Sequence, residues 1–341
     1  MDYKTMELSP FSGTKVLCHL ERLTTKTGQG PVTATVDITN VCNHNCIWCH
    51  SAKYHLAEPG HMPVELFRRL VDSLVKLNTK ALSISGGGEP TCHPQVNEML
   101  EYALESGLEV SMVTNGGLLD RINRNLLDRL RYLRVSLDAG SKETHNRLHR
   151  PKNQESSWEK IIYNISNLCY NKPRKLCLGV GYLLHPINTP EVSQVTELLR
   201  DLGVDYFQVR PIKFTRPIDT ETVRQAFEVA KQYETKDFHI VESGYKYEKQ
   251  VGKTEKCHLL PLVVNISPQG NVNPCCELRG NLDYSYGCLA SKSFEEIWFG
   301  EKRKRVLSKL NPSLCPDCKY AAMNKFIEEI LTDDPLHRNF L

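Results

Sequence analysis

Branched and polar residues alternate through residues 32–38, Val-Thr-Ala-Thr-Val-Asp-Ile, which is the period of a strand with one buried face. From there the period switches back and forth. Helical spacing over 63–78, 94–105, 120–129, 141–149, 157–168 and 189–202 alternates with strand-like runs at 81–85, 109–114, 133–137, 175–184 and 206–209. Such alternation predicts parallel βα units, and about six of them make either an open doubly wound sheet or a barrel. The punctuation agrees, with Pro190 in the first turn behind Thr189 and Gly203 just past the helix that Leu202 ends. An amphipathic stretch at 221–233 then leads into a polar, lysine-rich segment at 235–256, where the alternation stops. Beyond it, 262–266 and 271–275 predict a hairpin turning at Pro268-Gln269-Gly270, followed by short helices through residue 330. The expected organisation is an extension over 1–30, an α/β domain over 31–240, and a small α+β domain with its tail over 241–341.

The 341 residues suit about two domains, and 40% hydrophobic with 24% charged residues is ordinary for a globular chain. No apolar run approaches the ~18 residues of a membrane span, so no membrane partner is expected. The balance of 43 basic against 40 acidic residues leaves only +3, too little to make nucleic acid a main partner. Cysteine changes the picture. Thirteen is too few for a disulfide scaffold, which needs ~8–10% cysteine, yet many for an ordinary core. The chain starts without the basic and apolar segments of a secretory signal, so a reducing cytoplasm is expected. Thiols there bind metal or do redox chemistry.

Directly after the first strand, Cys42, Cys46 and Cys49 fall within eight residues of one loop. Three close thiolates can hold one metal centre. An iron–sulfur cube held by three cysteines keeps one iron open, whereas a structural zinc closes its tetrahedron with a fourth ligand, for which His44, His50 and His55 are at hand. Both readings fit these residues alone. The spacing Cys42-x3-Cys46-x2-Cys49 resembles the signature of the radical S-adenosylmethionine (SAM) enzymes, and the likeness continues in order along the chain. Ser85-Gly86-Gly87-Gly88-Glu89-Pro90 ends the second strand as that family's Gly-Gly-Glu segment does, where backbone approaches the methionine part of SAM; only glycine permits so close an approach. Thr114-Asn115-Gly116 ends the third strand and Ser136-Leu137-Asp138 the fourth, at the carboxyl ends where barrels keep their chemistry. The resemblance implies a SAM contact at Asn115, places Ser136 and Asp138 near the ribose or the substrate, and offers Arg147 for the SAM carboxylate. Trp48 either packs on adenine or shields the cluster.

In the C-terminal region, Cys257, Cys275, Cys315 and Cys318 read as a four-thiolate metal site in which a hairpin at Gly270 turns Cys275 back toward Cys257. Zinc ribbons use similar pairs. The spacing also resembles the Twitch domain, a shortened relative of the SPASM domain, and implies one auxiliary [4Fe-4S] cluster on these four cysteines, with Cys276 and Cys288 as competitors for a place. Of the other thiols, Cys18, Cys92, Cys169 and Cys177 read as small buried hydrophobes. Cys276 or Cys288 is also placed to donate a hydrogen atom to a substrate radical.

The whole likeness runs from about Val32 to Cys318 and implies a partial (β/α)6 barrel. It implies SAM cleavage to a 5′-deoxyadenosyl radical that takes a hydrogen atom from an unactivated carbon, with a flavodoxin or ferredoxin as electron donor. The leading substrate expectation is a small polar molecule, a sugar, aminocyclitol or nucleoside. It would be recognised by Arg210, Tyr182 and His185 near strand ends, with Asp138 and Arg210 as further catalytic candidates. The alternatives are a peptide-modifying maturase, for which no peptide-binding segment is visible before the barrel, and a non-catalytic zinc module. The basic run Glu301 to Arg305 reads as a solvated helix face.

Overall fold

The computed structural model describes residues 13–24, 28–52, 55, 58–153, 157–212, 218–242, 254–315, 318 and 320–331. Its frame is one sheet of ten strands, β1 (Thr33–Val36), β2 (Ala81–Ile84), β3 (Glu109–Thr114), β4 (Tyr132–Ser136), β5 (Cys177–Leu184), β6 (Tyr206–Pro211), β7 (His239–Glu242), β8 (Val263–Ile266), β9 (Asn271–Asn273) and β10 (Gly287–Cys288). The order is β10-β9-β8-β1-β2-β3-β4-β5-β6-β7, parallel from β8 to β7 and antiparallel through β9 and β10. β10 and β7 stand at opposite ends of that order, so the barrel is open.

Strand alternation sorts the side chains. Ala34, Val36, Leu82, Ile84, Val110, Met112, Leu133 and Val135 belong to one buried core with the helices, and their neighbours Thr33, Thr35, Ser83 and Arg134 point into the lumen. The helix Val64–Lys76 shows why the outer layer packs: Val64, Phe67, Leu70, Val71 and Leu74 recur at helical spacing and are all buried. The helices Lys142–His149 and Trp158–Cys169 start at Ser141 and Ser157, whose hydroxyls accept from the backbone N–H three residues on.

All six expected strands and their helices are present, with three differences. The helix expected over 120–129 is only Arg124–Leu127 preceded by a single 3-10 turn, because Ile122 is extended. A seventh parallel strand, β7, pairs Phe207 with Ile240 inside the segment where the alternation was expected to stop; four residues are too few for a period to register. The predicted hairpin exists as β8 and β9, with Gly270 at φ 83°, but β8 also pairs parallel with β1 through Thr33↔Val263. The C-terminal hairpin therefore continues the barrel sheet beside the strand that leads into the cysteine loop. Among the described residues no helix is long and apolar enough to cross a membrane.

Candidate active site at the mouth of the barrel

The cysteine loop leaves β1 and crosses the strand ends. It is pinned by backbone bonds from Gly88 N to Thr39 O (2.9 Å), Glu89 N to Val41 O (2.9 Å) and Asn40 N to Gly60 O (3.0 Å). Cys42, Cys46 and Cys49 are all half-buried on it. His44 N donates to Cys42 Sγ at 3.4 Å, and Cys49 N closes a turn on Cys46 O at 3.1 Å. Burial pushes the Cys42 thiol well above its ordinary value, with Glu89 and then Cys46 adding to the rise. Burial also raises Cys49, again with Cys46 adding and Arg279 pulling the other way. The three sulfurs thus share one electrostatic neighbourhood, a donor set that loses its protons when it binds a metal centre.

The glycines serve a purpose the motif did not reveal. A Cβ at Gly88 would lie 2.2 Å from Val41 O and one at Gly87 1.7 Å from Asn40 Oδ1, so the segment is kept bare by the cysteine loop packing on it. Glu89, which closes the Gly-Gly-Glu segment, is buried. Its Oε1 accepts from Thr91 N (3.1 Å), Thr91 Oγ1 (2.7 Å) and Thr114 Oγ1 (2.6 Å), and its Oε2 from Asn115 N (2.6 Å). Asn115 Nδ2 in turn donates to Asn43 Oδ1 at 2.7 Å. This brace ties the ends of β2 and β3 to the cysteine loop.

Asp138 is also buried. It sits at φ 52°, accepts from Leu183 N at 2.5 Å, and places Oδ2 3.2 Å from His149 Nε2. His149 Nδ1 lies 3.2 Å from Cys46 Sγ. Burial works against charge on this imidazole, yet the Cys46 thiol and Asp138 outweigh it and lift the pKa to about 10. His44, Cys46 and His149 offer ligand atoms within 4.8 Å of one another, so the histidine option at the first site falls to His44 with a partner the spacing did not show. His55 instead meets the Gly87 carbonyl, and His50 is exposed. Trp48 packs edge-on to His149 (5.7 Å), the imidazole that meets Cys46, and tilted to His185 (6.0 Å). Ser136 is half-buried at the end of β4, and Arg147 is exposed near His185, whose pKa is lowered by burial and by that arginine.

Inside the lumen, Arg134 of β4 donates to Gln208 of β6 at 3.0 Å. A Cβ at Gly181 of β5 would lie 3.5 Å from Arg210 Nη2 and 3.6 Å from Arg134 Cδ, while the Tyr206 ring covers Gly179. Two arginines therefore flank β5 at Gly181, where the strand carries no side chain. Tyr182 does not join them, contrary to expectation: it is 0% exposed and donates its hydroxyl to Asn188 O at 2.8 Å on the core side.

In the C-terminal hairpin region Cys275 is buried, and its thiol is raised by burial and by nearby Cys276 and Cys318. The Tyr286 hydroxyl is raised by burial and feels both Cys275 and Cys257, with Arg303 pulling it down. Asn324 Nδ2 donates to Cys257 Sγ at 3.5 Å and Tyr320 N to Cys318 Sγ at 3.3 Å. Cys275 and Cys318 thus share one electrostatic neighbourhood, and Cys275 and Cys257 both act on Tyr286. Cys315 directs its thiol at Asn311 O (3.9 Å); Cys288 is engaged with Gln269 O (3.3 Å). Cys92, read as core, lies instead beside Cys42, and its thiol is raised to about 11 by burial and by Glu89. Arg279 went unnoticed: a lone arginine four residues after Cys275 carries no motif, yet its guanidinium is buried against Asp37.

Comparison with known families agrees with this geometry. Residues 36–199 match the model of the radical SAM superfamily, and residues 257–319 match SPASM, an iron–sulfur cluster-binding domain. The chain is 25% identical over 278 residues to the antilisterial bacteriocin subtilosin biosynthesis protein AlbA of Bacillus subtilis (strain 168), covering 79% of this chain but only 59% of AlbA. It is 23% identical over 349 residues to the AdoMet-dependent heme synthase of Methanosarcina barkeri, covering 86% of this chain and 93% of that protein. Among solved structures, Streptococcus suis SuiB bound to precursor peptide SuiA shares the fold with a TM-score of 0.66 at 13% identity, over 87% of this chain and 70% of SuiB. The chain belongs to the radical SAM superfamily: it is an enzyme of SAM and [4Fe-4S] clusters, including an auxiliary cluster in a SPASM-type domain behind an open barrel.

Proposed function

We propose that this enzyme modifies a peptide by hydrogen-atom abstraction at the mouth of the barrel. The observation that carries the reading is the likeness to AlbA, whose name assigns it to bacteriocin biosynthesis, over 79% of this chain. SuiB, of the same fold, is known with a precursor peptide bound. A sugar, aminocyclitol or nucleoside, the first expectation from sequence, has no comparable support. The open sheet, with β7 and β10 at opposite ends of its order, and the bare backbone of Gly181 beside Arg134 and Arg210 support a chain-like substrate.

In this reading Cys42, Cys46 and Cys49 hold the cluster that binds SAM, and Cys257, Cys275, Cys318 and Cys315 the auxiliary one. Once bound, SAM and the reduced cluster supply a 5′-deoxyadenosyl radical, with a flavodoxin or ferredoxin as the reductant. The chain's own groups then do the positioning. Trp48 packs on the imidazole that meets Cys46, the Glu89 brace fixes the cysteine loop against the strand ends, and Arg134 with Arg210 orients a carboxylate of the substrate.

The test is deuterium transfer. Reconstituted, reduced enzyme is given SAM and side-chain-deuterated short peptides encoded beside its gene, and in parallel a deuterated tetrapyrrole. Deuterium in 5′-deoxyadenosine with a mass change in the peptide is expected. Transfer from the tetrapyrrole alone would reject the peptide reading in favour of heme-synthase-like chemistry.

A further inference from the structure

One buried cation joins three segments of the barrel mouth to the auxiliary domain. Arg279 is 7% exposed. Its Nε lies 2.6 Å from Asp37 Oδ2 and its Nη2 donates to Asp37 Oδ1 at 3.1 Å, a two-pronged pairing with a carboxylate that is itself 0% exposed. Its Nη1 donates to Gly86 O at 3.0 Å and lies 3.4 Å from Ser51 Oγ. Asp37 follows β1 and leads into the cysteine loop; Gly86 opens the glycine segment; Ser51 stands two residues after Cys49. On its other side, Arg279 ends the 3-10 turn Cys276–Leu278 that begins at Cys275, with Leu278 N bonded to Cys275 O at 3.3 Å.

We infer that Arg279 is a positioning residue that transmits the state of the auxiliary cluster to the SAM-binding edge of the barrel. A ligand at Cys275 fixes the start of the 3-10 turn, and the turn fixes where the guanidinium lies. The guanidinium then sets the Gly86 carbonyl and the far end of the cysteine loop. Three anchors held by one planar fork move together, because a guanidinium cannot shift toward one partner without leaving another. A flexible lysine would satisfy Asp37 without holding Gly86 and Ser51 in register. The inference rests on the proposed cysteine ligands but is independent of what the substrate is.

The experiment measures SAM affinity of reconstituted, full-length enzyme by equilibrium dialysis, and the SAM-induced change in the EPR spectrum of the reduced cluster. R279K is expected to keep its iron and bind SAM about tenfold more weakly, the size of one lost charge-assisted hydrogen bond. R279Q strands a buried carboxylate, so D37N/R279Q, which leaves a neutral pair, is measured alongside and should show the same loss with iron retained. C318S, lacking the auxiliary cluster, should lose SAM affinity to a similar degree, and adding R279K to it should cause little further loss, because both act through one path. Unchanged SAM affinity in R279K and D37N/R279Q would overturn the inference. So would losses from C318S and R279K that simply multiply, or loss of the first cluster's iron in both arginine variants. Enzyme that holds no iron and binds no SAM before any substitution would instead reject the proposed ligand assignments.

Discussion

Replacing Glu89 by glutamine tests whether the barrel end and the cysteine loop are one unit. The side chain keeps its shape, so the change is electrical. An amide oxygen at the Oε1 position still accepts from Thr91 and Thr114, but the amide nitrogen at Oε2 faces Asn115 N–H, donor against donor, where the carboxylate accepted at 2.6 Å. Losing that bond and leaving two buried donors opposed costs about 2–3 kcal/mol, and weakening three charge-assisted bonds to neutral ones adds roughly 2 kcal/mol. Relief of a buried charge offsets part of this and leaves about 2–3 kcal/mol. For a domain of this size that is roughly a 5–10 °C fall in melting temperature, read by circular dichroism under anaerobic reducing conditions. Because Asn115 also bonds Asn43 beside Cys42, the first cluster should lose iron to a chelator faster than the auxiliary one. Burial pushes the Glu89 carboxyl up against the pull of its four donors. A melting temperature within a degree of wild type would mean that the carboxyl is already neutral, and the ionic brace argued above would be wrong.

Other outcomes follow from the same geometry. G88A should strip iron from the first cluster and cost about 1–3 kcal/mol, since its Cβ would meet Val41 backbone, whereas G87A, which meets the Asn40 side chain, should be milder; equal iron loss in both would contradict the packing argument. Burial lifts the Asp37 carboxyl to about 6 despite Arg279, above the ~3.9 of an unfolded chain. Its contribution to stability is therefore full below about pH 4 and is lost as pH rises through about 6, a change of roughly 3 kcal/mol. The difference between wild type and D37N in urea unfolding should narrow or reverse across that window, and a pH-independent difference would refute it. C92S should keep about eight irons, four per cluster, whereas C46S should keep about four; loss of the first cluster in C92S would make Cys92 a ligand.

The fold was legible because apolar periods alternate cleanly and each lies on a strand or helix that buries one face, as Val64 to Leu74 does. β7 was hidden by its brevity, and the pairing of β8 with β1 by its 230-residue separation, which no local period encodes. At the site, cysteine spacing is local and therefore visible. The partners of Glu89, Asp138 and Tyr182 were not visible because a motif names a residue without giving its direction: Glu89 meets Thr114 of β3, Asp138 meets the Leu183 N–H of β5, and Tyr182 turns to the Asn188 carbonyl. Arg279 and His149 were missed for the same reason, since their partners Asp37 and Cys46 lie more than one hundred residues away in sequence.

The most direct measurement is low-temperature EPR of anaerobically reconstituted protein, reduced, with and without SAM. The account predicts about eight irons per chain and a cluster signal that shifts on SAM addition and disappears in the triple variant C42A/C46A/C49A while the auxiliary signal stays. A signal indifferent to SAM, or one that survives removal of all three cysteines, would contradict it.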